Sequence, residues 1–476
     1  MNNRLFKYIT LACFGLYAAA CSVPANMQKD VTLKAPASFG GSTDSTTAAM
    51  IKWRDFFKDE NLEVLIDSAL KNNQELNITL QEINIAKNDI RFRKAAYLPF
   101  IGIGGAAGVD KSGLYTSKGA SDATNQVMPG KAFPDPLPDY LLGVNLTWEV
   151  DVWKKLRNAK SAAANRYLAS VEGKNFMVTH LIAEIAASYY ELLALDNQLD
   201  ILRKNIAIQQ NALEIVKLEK NSARVTELAV KKFEAEVLKN QSRQYEILQM
   251  ITVTENRINF LVGRFPQPVK RTTGDFLTMR PDTLAAGVPA QLLKNRPDIR
   301  QTEQRLIASR LDVKAVRAEF YPSLTIRSGA GYNAFNPKYL INTPQSLIYM
   351  LAGDLMAPLI NRNAIKAEFY SANARQVQAV YDYERTMLSA CIEVSNQLSG
   401  ITNLKKNYEL KEKQVEALNA SIEISTILFR SARADYMEVL MTQRDALDAR
   451  FELIDTRKQQ FMAMINLYRA LGGGWR

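Results

Sequence analysis

Histidine occurs once in these 476 residues and cysteine three times. His180 has no Cys or His partner at ligand spacing, so a metal centre has nothing to be built from. Cys13 and Cys21 stand in the N-terminal segment and Cys391 sits alone in a helical stretch, which leaves no intrachain disulfide to form. No glycine-rich phosphate loop follows a strand. Gly472-Gly473-Gly474 comes after a helical stretch and reads as a helix stop, not a nucleotide cradle. No serine elbow or cysteine nucleophile context is present, and the carboxylates lie mostly at helix-surface spacings with Lys and Arg. Catalytic residues, a cofactor and a metal are therefore not expected. The net charge of +11 comes from basic residues scattered among acids, with no basic run, which argues against a nucleic-acid partner.

The N-terminus carries a pattern of export. Arg4 and Lys7 precede an apolar stretch, Ile9 to Tyr17, that is too short to span a bilayer. Ala18-Ala19-Ala20-Cys21 then reads as a lipobox. Residues 1–20 are expected to be a lipoprotein signal peptide and Cys21 to be lipidated; cleavage after Ala20 leaving a free Cys21 competes with this. Ser22, not Asp, follows the cysteine, which resembles the outer-membrane sorting pattern of enteric lipoproteins. Residues 21–50, rich in Ser, Thr, Ala, Gly and Pro, are expected to be an extended linker.

The rest of the chain contains itself twice. An offset of 223 carries Leu70-Lys71-Asn72 onto Leu293-Lys294-Asn295, and Pro99 onto Pro322. An offset of 209 carries Leu156 onto Ile365, Ser222-Ala223-Arg224 onto Ser431-Ala432-Arg433, and Gly263 onto Gly472. The first copy therefore has 14 extra residues between Pro99 and Leu156. The period is that of a duplicated domain-sized unit, not a solenoid module. We place the first repeat at 51–282 and the second at 283–476.

Each copy reads as helix, strand, loop, strand, long helix, turn, long helix. The leading helices are expected over about Asn61 to Ala96 and Ala290 to Glu319, ended by Pro99 and Pro322. Strands are expected at about 98–110 and 140–151, then at 322–334 and 346–358. Long helices are expected at about 156–221 and 224–262, then at 365–430 and 434–471. Leu142, Val144, Leu146, Trp148 and Val150 alternate with Gly143, Asn145, Thr147, Glu149 and Asp151, a strand with one apolar and one wet face. A soluble half-buried hairpin shows the same alternation; the export pattern favours a transmembrane β-barrel. Four strands cannot close a barrel, and open edges in lipid leave backbone groups unsatisfied, so several chains must share one barrel. Leu181, Ile185, Ser188, Leu192, Leu195, Leu199, Leu202 and Ile206 recur at alternating spacings of four and three, a heptad seam. Val394, Ile401, Leu404, Tyr408, Val415, Leu418 and Ile422 form its mate. Both repeats are thus expected to hold antiparallel coiled-coil hairpins, with a first helix of about 100 Å.

These residues resemble a known family. Trp53, Phe57, Asp59 and Leu62, followed by Ala69-Leu70 and Asn73, look like the entry segment of TolC-type outer-membrane factors. Asn295-Arg296-Pro297-Asp298-Ile299-Arg300 with Glu303, Ala318 and Tyr321-Pro322-Ser323 is close to the signature of their lipoprotein branch, which serves resistance-nodulation-division (RND) efflux systems. Trp148-Glu149-Val150-Asp151 with Leu156-Arg157, Asp435 to Leu440 with Gln443-Arg444, and Leu467 to Trp475 match further motifs of that branch. The resemblance implies a mainly α protein with a β-barrel part: a trimer whose twelve strands form an outer-membrane barrel and whose twelve long helices form a periplasmic tunnel. It implies an exit duct working with a periplasmic adaptor and an inner-membrane RND pump. It places a periplasmic gate at the second turn, with Glu438 at one of its carboxylate positions; Met441 stands where the family has its next carboxylate, and Arg433 and Asp435, nearby, are the charges that could substitute for it. The adaptor contact falls on the small residues Ser222, Ala223, Ser431 and Ala432. Solvated turn charges and a tight turn are the plainer readings of the same residues. Type I protein secretion, and a periplasm-spanning coiled-coil tether, are the competing functions.

Overall fold

The computed structural model describes residues 24–25, 29–34, 36–39, 47–128, 130–272, 274, 276–281, 285–358, 362–431 and 433–476. The expected signal peptide, Cys21 and Ala432 lie outside them. Along the chain run α1 (Trp53–Phe56), α2 (Glu60–Asn72), α3 (Gln74–Tyr97), β1 (Phe100–Asp110), α4 (Ser117–Thr124), β2 (Gln126–Met128), β3 (Lys131–Ala132), β4 (Leu137–Val150), α5 (Lys155–Asn221) and α6 (Glu227–Val262). The second copy supplies α7 (Leu292–Asn295), α8 (Pro297–Ala318), β5 (Ser323–Ala334), β6 (Leu347–Met356), α9 (Asn363–Arg430) and α10 (Tyr436–Ala470). The connection between β1 and β4 has 26 residues (111–136) and that between β5 and β6 has 12 (335–346), so the extra 14 residues are the ones that build α4 and the β2–β3 ribbon.

The chain divides into two compact units, and the long helices α5 and α9 run through both. The first unit holds residues 84–168 and 304–381. Its strands form an antiparallel sheet in the order β1-β4-β5-β6. The register puts Ile101 opposite Leu146, Leu146 opposite Ser328, and Ile326 opposite Trp148. Directly paired residues share a face. One face therefore carries Ile101, Ile103, Leu142, Val144, Leu146, Trp148, Leu324, Ile326, Tyr349, Leu351 and Leu355. The other carries Asn145, Thr147, Glu149, Thr325, Arg327, Asn333 and Asp354, with Phe100, Leu141, Ile348, Met350 and Met356 among its apolar members. Gly143 pairs with Gly104 on one side and Gly331 on the other. A Cβ on Gly331 would lie 2.6 Å from the Gly143 Cα, so the strands close together there and crease the sheet towards its polar face. The polar face is thus the concave one. β1 and β6 are the outer strands of the four, they run in opposite directions, and each leaves one edge unpaired among the described residues.

Asp151 departs from the alternation read in the sequence. It lies beyond the end of β4 and is buried, because its carboxylate caps α5: Leu156 N donates to Oδ1 at 3.0 Å and Arg157 N to Oδ2 at 2.9 Å. Arg157 Nε donates to the same Oδ2 at 3.1 Å. Beneath the sheet Val313, Phe320, Phe369 and Ala372 pack together, Phe320 meeting Phe369 edge to face. Gln376 is fully buried and pairs with the backbone of Lys29, accepting from its N at 3.1 Å and donating to its O at 2.8 Å. Residues 29–34 carry no regular secondary structure, and Lys29 is held by a side chain of the body.

The second unit holds residues 31–83, 169–303 and 382–476. All eight positions of the first heptad seam, Leu181 to Ile206, are buried. In the second seam Val394 and Tyr408 are buried, whereas Ile401, Leu404, Val415, Leu418 and Ile422 are half-buried. The core joins that first seam to Leu62 and Ile66 of α2 and to Ile454, Phe461 and Tyr468 of α10. Tyr190 stacks on Phe461 at 4.4 Å and Phe56 on Tyr468 at 4.3 Å.

The single helix expected over Asn61–Ala96 is two helices, and so is its mate. Asn73 breaks the first: its Oδ1 accepts from Leu76 N at 2.8 Å while its Nδ2 donates to the Leu261 carbonyl at 2.9 Å. Arg296 breaks the second, followed by Pro297 at the start of α8. The break brings a side chain to the end of the returning long helix, which periodicity alone does not foresee.

Candidate functional site

The two hairpin turns are built alike. Arg224 N donates to Glu219 O at 2.9 Å in the first, and Arg433 N to Leu428 O at 2.9 Å in the second. Ser222 Oγ donates to Leu218 O at 3.3 Å, and Ser431 Oγ to Ile427 O at 2.9 Å, each bending back onto its own helix. Both serines are exposed, as is Ala223. Ala223 has φ 59°, a left-handed conformation that a side chain makes costly by about 1–2 kcal/mol. Small size here serves the turn itself.

The turns part company in their charges. In the first, Lys220 pairs with Glu227, and that hydrogen bond with its attendant charge attraction holds the Glu227 carboxyl below its usual range. Thr226 caps α6, its Oγ1 accepting from Ala229 N at 3.4 Å. In the second, Asp435 occupies the capping position of α10 without a side-chain capping bond. Arg433, Asp435 and Glu438 are all exposed, and among the described residues they form no ion pair with one another. A carboxylate pair beside a helix N-terminus, with neither carboxylate in an ion pair among the described residues, is available to a partner outside the chain.

Behind the turns the two hairpins are joined. Leu213, Val216, Val230, Phe233 and Val237 pack with Leu440, and Tyr436 and Met437 lie against them. Arg243 reaches from α6 to Asp448 of α10 at 2.9 Å, its guanidinium 4.0 Å from the Phe451 ring centroid. Met441 is exposed.

On the concave face of the sheet, Arg327 pairs with Asp354 at 3.2 Å, Asn333 Nδ2 donates to Asp139 Oδ1 at 2.8 Å, and Glu149 pairs with Lys155 at 2.5 Å. Of these residues, the alternation in β4 pointed only to Glu149. Thr325-Arg327 and Ala352-Asp354 carry the same period-2 signal, and extending the alternation to β5 and β6 finds them. His180 packs against Phe176 and lies 3.4 Å from Arg469 Nη1. Among the described residues no cluster of His, Cys, Asp or Glu could hold a metal ion, and no helix is long and apolar enough to cross a membrane.

Comparison with known proteins converges on one family. The family model described as outer membrane efflux protein matches residues 65–264 and 288–473, once per repeat. The chain is 26% identical over 473 residues to the pyoverdine export outer membrane protein OpmQ of Pseudomonas putida, covering 99% of this chain and 98% of that one. It is 25% identical to the cation efflux system protein CusC of Escherichia coli, covering 98% of each. The fold is that of the open-state MtrE outer membrane channel of Neisseria gonorrhoeae: the TM-score is 0.81 at 20% identity, over 96% of this chain and 98% of that one.

Proposed function

The chain belongs to the outer membrane efflux protein family, and from that premise we propose that it is the outer-membrane exit duct of a tripartite efflux pump, passively conducting small molecules exported by an inner-membrane RND transporter through a periplasmic adaptor. The observation that carries this reading is the sheet. It has four strands, one apolar face, one concave polar face, and two edges, running in opposite directions, that are unpaired among the described residues. A second copy can therefore continue the antiparallel ladder at either edge. Two copies would give eight strands, a barrel whose interior side chains fill. Three give twelve and leave an aqueous lumen lined by Arg327, Asp354, Asn145 and Glu149. The working unit is accordingly a homotrimer, with the apolar face of each sheet in the lipid and the coiled-coil hairpins in the periplasm.

In this reading Arg433, Asp435 and Glu438 ring the periplasmic end and gate it, and Ser222, Ala223, Ser431 and Ala432 form the surface on which the adaptor docks. Cys21 carries the lipid that tethers the N-terminus to the outer membrane. OpmQ and CusC are named for unlike cargo, pyoverdine and cations, yet stand at the same distance from this chain. That supports a permissive duct whose cargo is chosen by the pump. Purified protein in planar bilayers should show discrete conductance steps at a protein mass of three chains. A folded monomer, or a trimer that never conducts, would remove the proposal.

A further inference from the structure

Within the second unit, the end of α10 and the start of α8 border a cavity of about 440 Å³ together with α5 and α9. Three arginines line it, Arg296, Arg385 and Arg469, with two carboxylates, Asp298 and Glu393. Both carboxylates are bonded to Arg296. Arg385 pairs with Asp382 at 3.1 Å. Arg469 forms no ion pair among the described residues, and its Nη1 lies 3.4 Å from Nδ1 of His180. One guanidinium charge is thus left over in the cavity. Beside it the Phe176 and His180 rings stack with centroids 6.2 Å apart, and both rings line the same space.

An arginine in the last turn of a helix is ordinarily explained by the helix dipole. The first repeat shows that this helix end does not require one. An offset of 209 carries Phe260 onto Arg469, and an offset of 223 carries Ile78 onto Gln301, a further lining residue. α6 ends with no basic residue in its last turn, and Phe260 is exposed. The leftover cation therefore belongs to the second copy alone, and the duplicated fold does not account for it. The charge count selects what could neutralise it. One guanidinium fork matches one planar carboxylate, whose two oxygens accept from it side by side. A phosphate dianion would bring an uncompensated charge close to Asp298 and Glu393. The stacked rings suit an apolar body more than a bare ion.

We infer that this cavity is a binding site for a small aromatic monocarboxylate: the carboxylate rests on the Arg469 guanidinium and the ring of the ligand lies against Phe176 and His180. The inference does not depend on the exit-duct reading. It is tested by fluorine NMR of para-fluorobenzoate titrated with the full-length protein in detergent at neutral pH, with para-fluorobenzamide as the uncharged control. The benzoate signal should broaden saturably and the benzamide signal should not. Arg469→Phe, which gives the second repeat the residue of the first, should weaken benzoate binding about tenfold, as expected for the loss of a charge-assisted pair. Arg444→Gln, on the same helix and outside the cavity, should leave binding unchanged, and an equal concentration of inorganic phosphate should not displace the benzoate. A benzoate signal that never saturates, benzamide bound as tightly, or undiminished binding in Arg469→Phe each overturns the inference. So does an equal loss in Arg444→Gln, which would mean attraction to general surface charge, and so does displacement by phosphate, which would make the cavity an inorganic-anion site. Should Arg469→Phe not fold, Arg469→Gln takes its place, and the comparison of benzoate with benzamide on the wild type decides by itself whether the negative charge is recognised.

Discussion

Arg296 donates from Nη1 to the carbonyl oxygen of Ala470 at 2.9 Å, the last residue of α10. Asn73 and Leu261 hold the same two places in the first repeat, with Nδ2 donating to the carbonyl oxygen at 2.9 Å. In both copies a side chain at the helix break fastens the end of the returning long helix, beside a left-handed glycine, Gly263 at φ 77° or Gly472 at φ 87°. The two fasteners differ in charge. Arg296 is buried and pairs with the partly buried Asp298, which takes Nε at 3.0 Å and Nη2 at 2.6 Å, and with Glu393, 42% exposed, at 2.8 Å. Removing the buried arginine leaves the partly buried Asp298 uncompensated, while water screens the more exposed Glu393, so Arg296→Ala should cost about 3 kcal/mol, the lower end for a broken buried pair. Asn73→Ala forfeits neutral hydrogen bonds and should cost about 1–2 kcal/mol. Denaturant unfolding of the two variants checks the ordering; equal costs would contradict the role given to the carboxylates.

The same node shows where local sequence patterns stop. Leu181 to Ile206 could be recognised as a buried seam because a heptad is local and every position in it answers to one partner surface. Leu142 to Val150 could be recognised as a strand for the same reason, since period-2 alternation needs only the residues themselves. Asn73, Arg296 and Asp151 could not, because their roles are set by groups distant in the chain or by the chemistry of a helix end. Asn73 looks like a polar residue in mid-helix until the Leu261 carbonyl is seen beside it. Asp151 continues the alternation by type and leaves it by position. At the turns, the spacing of Ser222 and Ser431 was visible, but the unused capping carboxylate of Asp435 follows from backbone geometry.

Asp312 on α8 tests the balance of burial against charge. Burial raises its carboxyl pKa from the usual value, outweighing the attraction of Arg166, Arg375 and Arg93. A raised carboxyl favours the protonated folded form. The group therefore contributes stability below its unfolded pKa, and this contribution is lost as pH rises through the folded value. Asp312→Asn has no such titration. The melting temperature of the variant relative to the wild type should rise between pH 4 and pH 7, and a relative fall would mean that the arginines outweigh burial.

The gate proposal predicts an electrical signature. Exposed carboxylates ringing a narrow end attract cations and bind bridging groups. The double variant Asp435→Ala, Glu438→Ala should stay closed for a smaller fraction of the time in planar bilayers and should discriminate less between potassium and chloride. Arg433→Ala should move selectivity the opposite way. Closure and selectivity unchanged in all three would return these residues to the status of solvated turn charges.

Gln209 and Asn240 are nearly completely buried between α5 and α6, Asn240 Nδ2 donating to Gln209 Oε1 at 2.8 Å. The equivalent places in the second hairpin, 209 positions on, hold Leu418 and Ala449. Gln209 Nε2, and Asn205 Oδ1 one turn earlier, have no partner among the described residues, and each such buried atom costs about 1–3 kcal/mol. A buried amide pair that is poor for stability is understandable as a register pin, because sliding either helix separates the two side chains. Asn240→Ala alone should destabilise by about 1–3 kcal/mol, since Gln209 is then left with no partner at all. Adding Gln209→Leu, which gives the first hairpin the residues of the second, should restore or exceed wild-type stability. Its effect should appear in spacing instead: spin labels placed across α5 and α6 should give a broader distance distribution in the double variant than in the wild type. A double variant that is both less stable and as narrowly distributed would make the pair an ordinary stabilising hydrogen bond, and the contrast between the two hairpins would lose its physical basis.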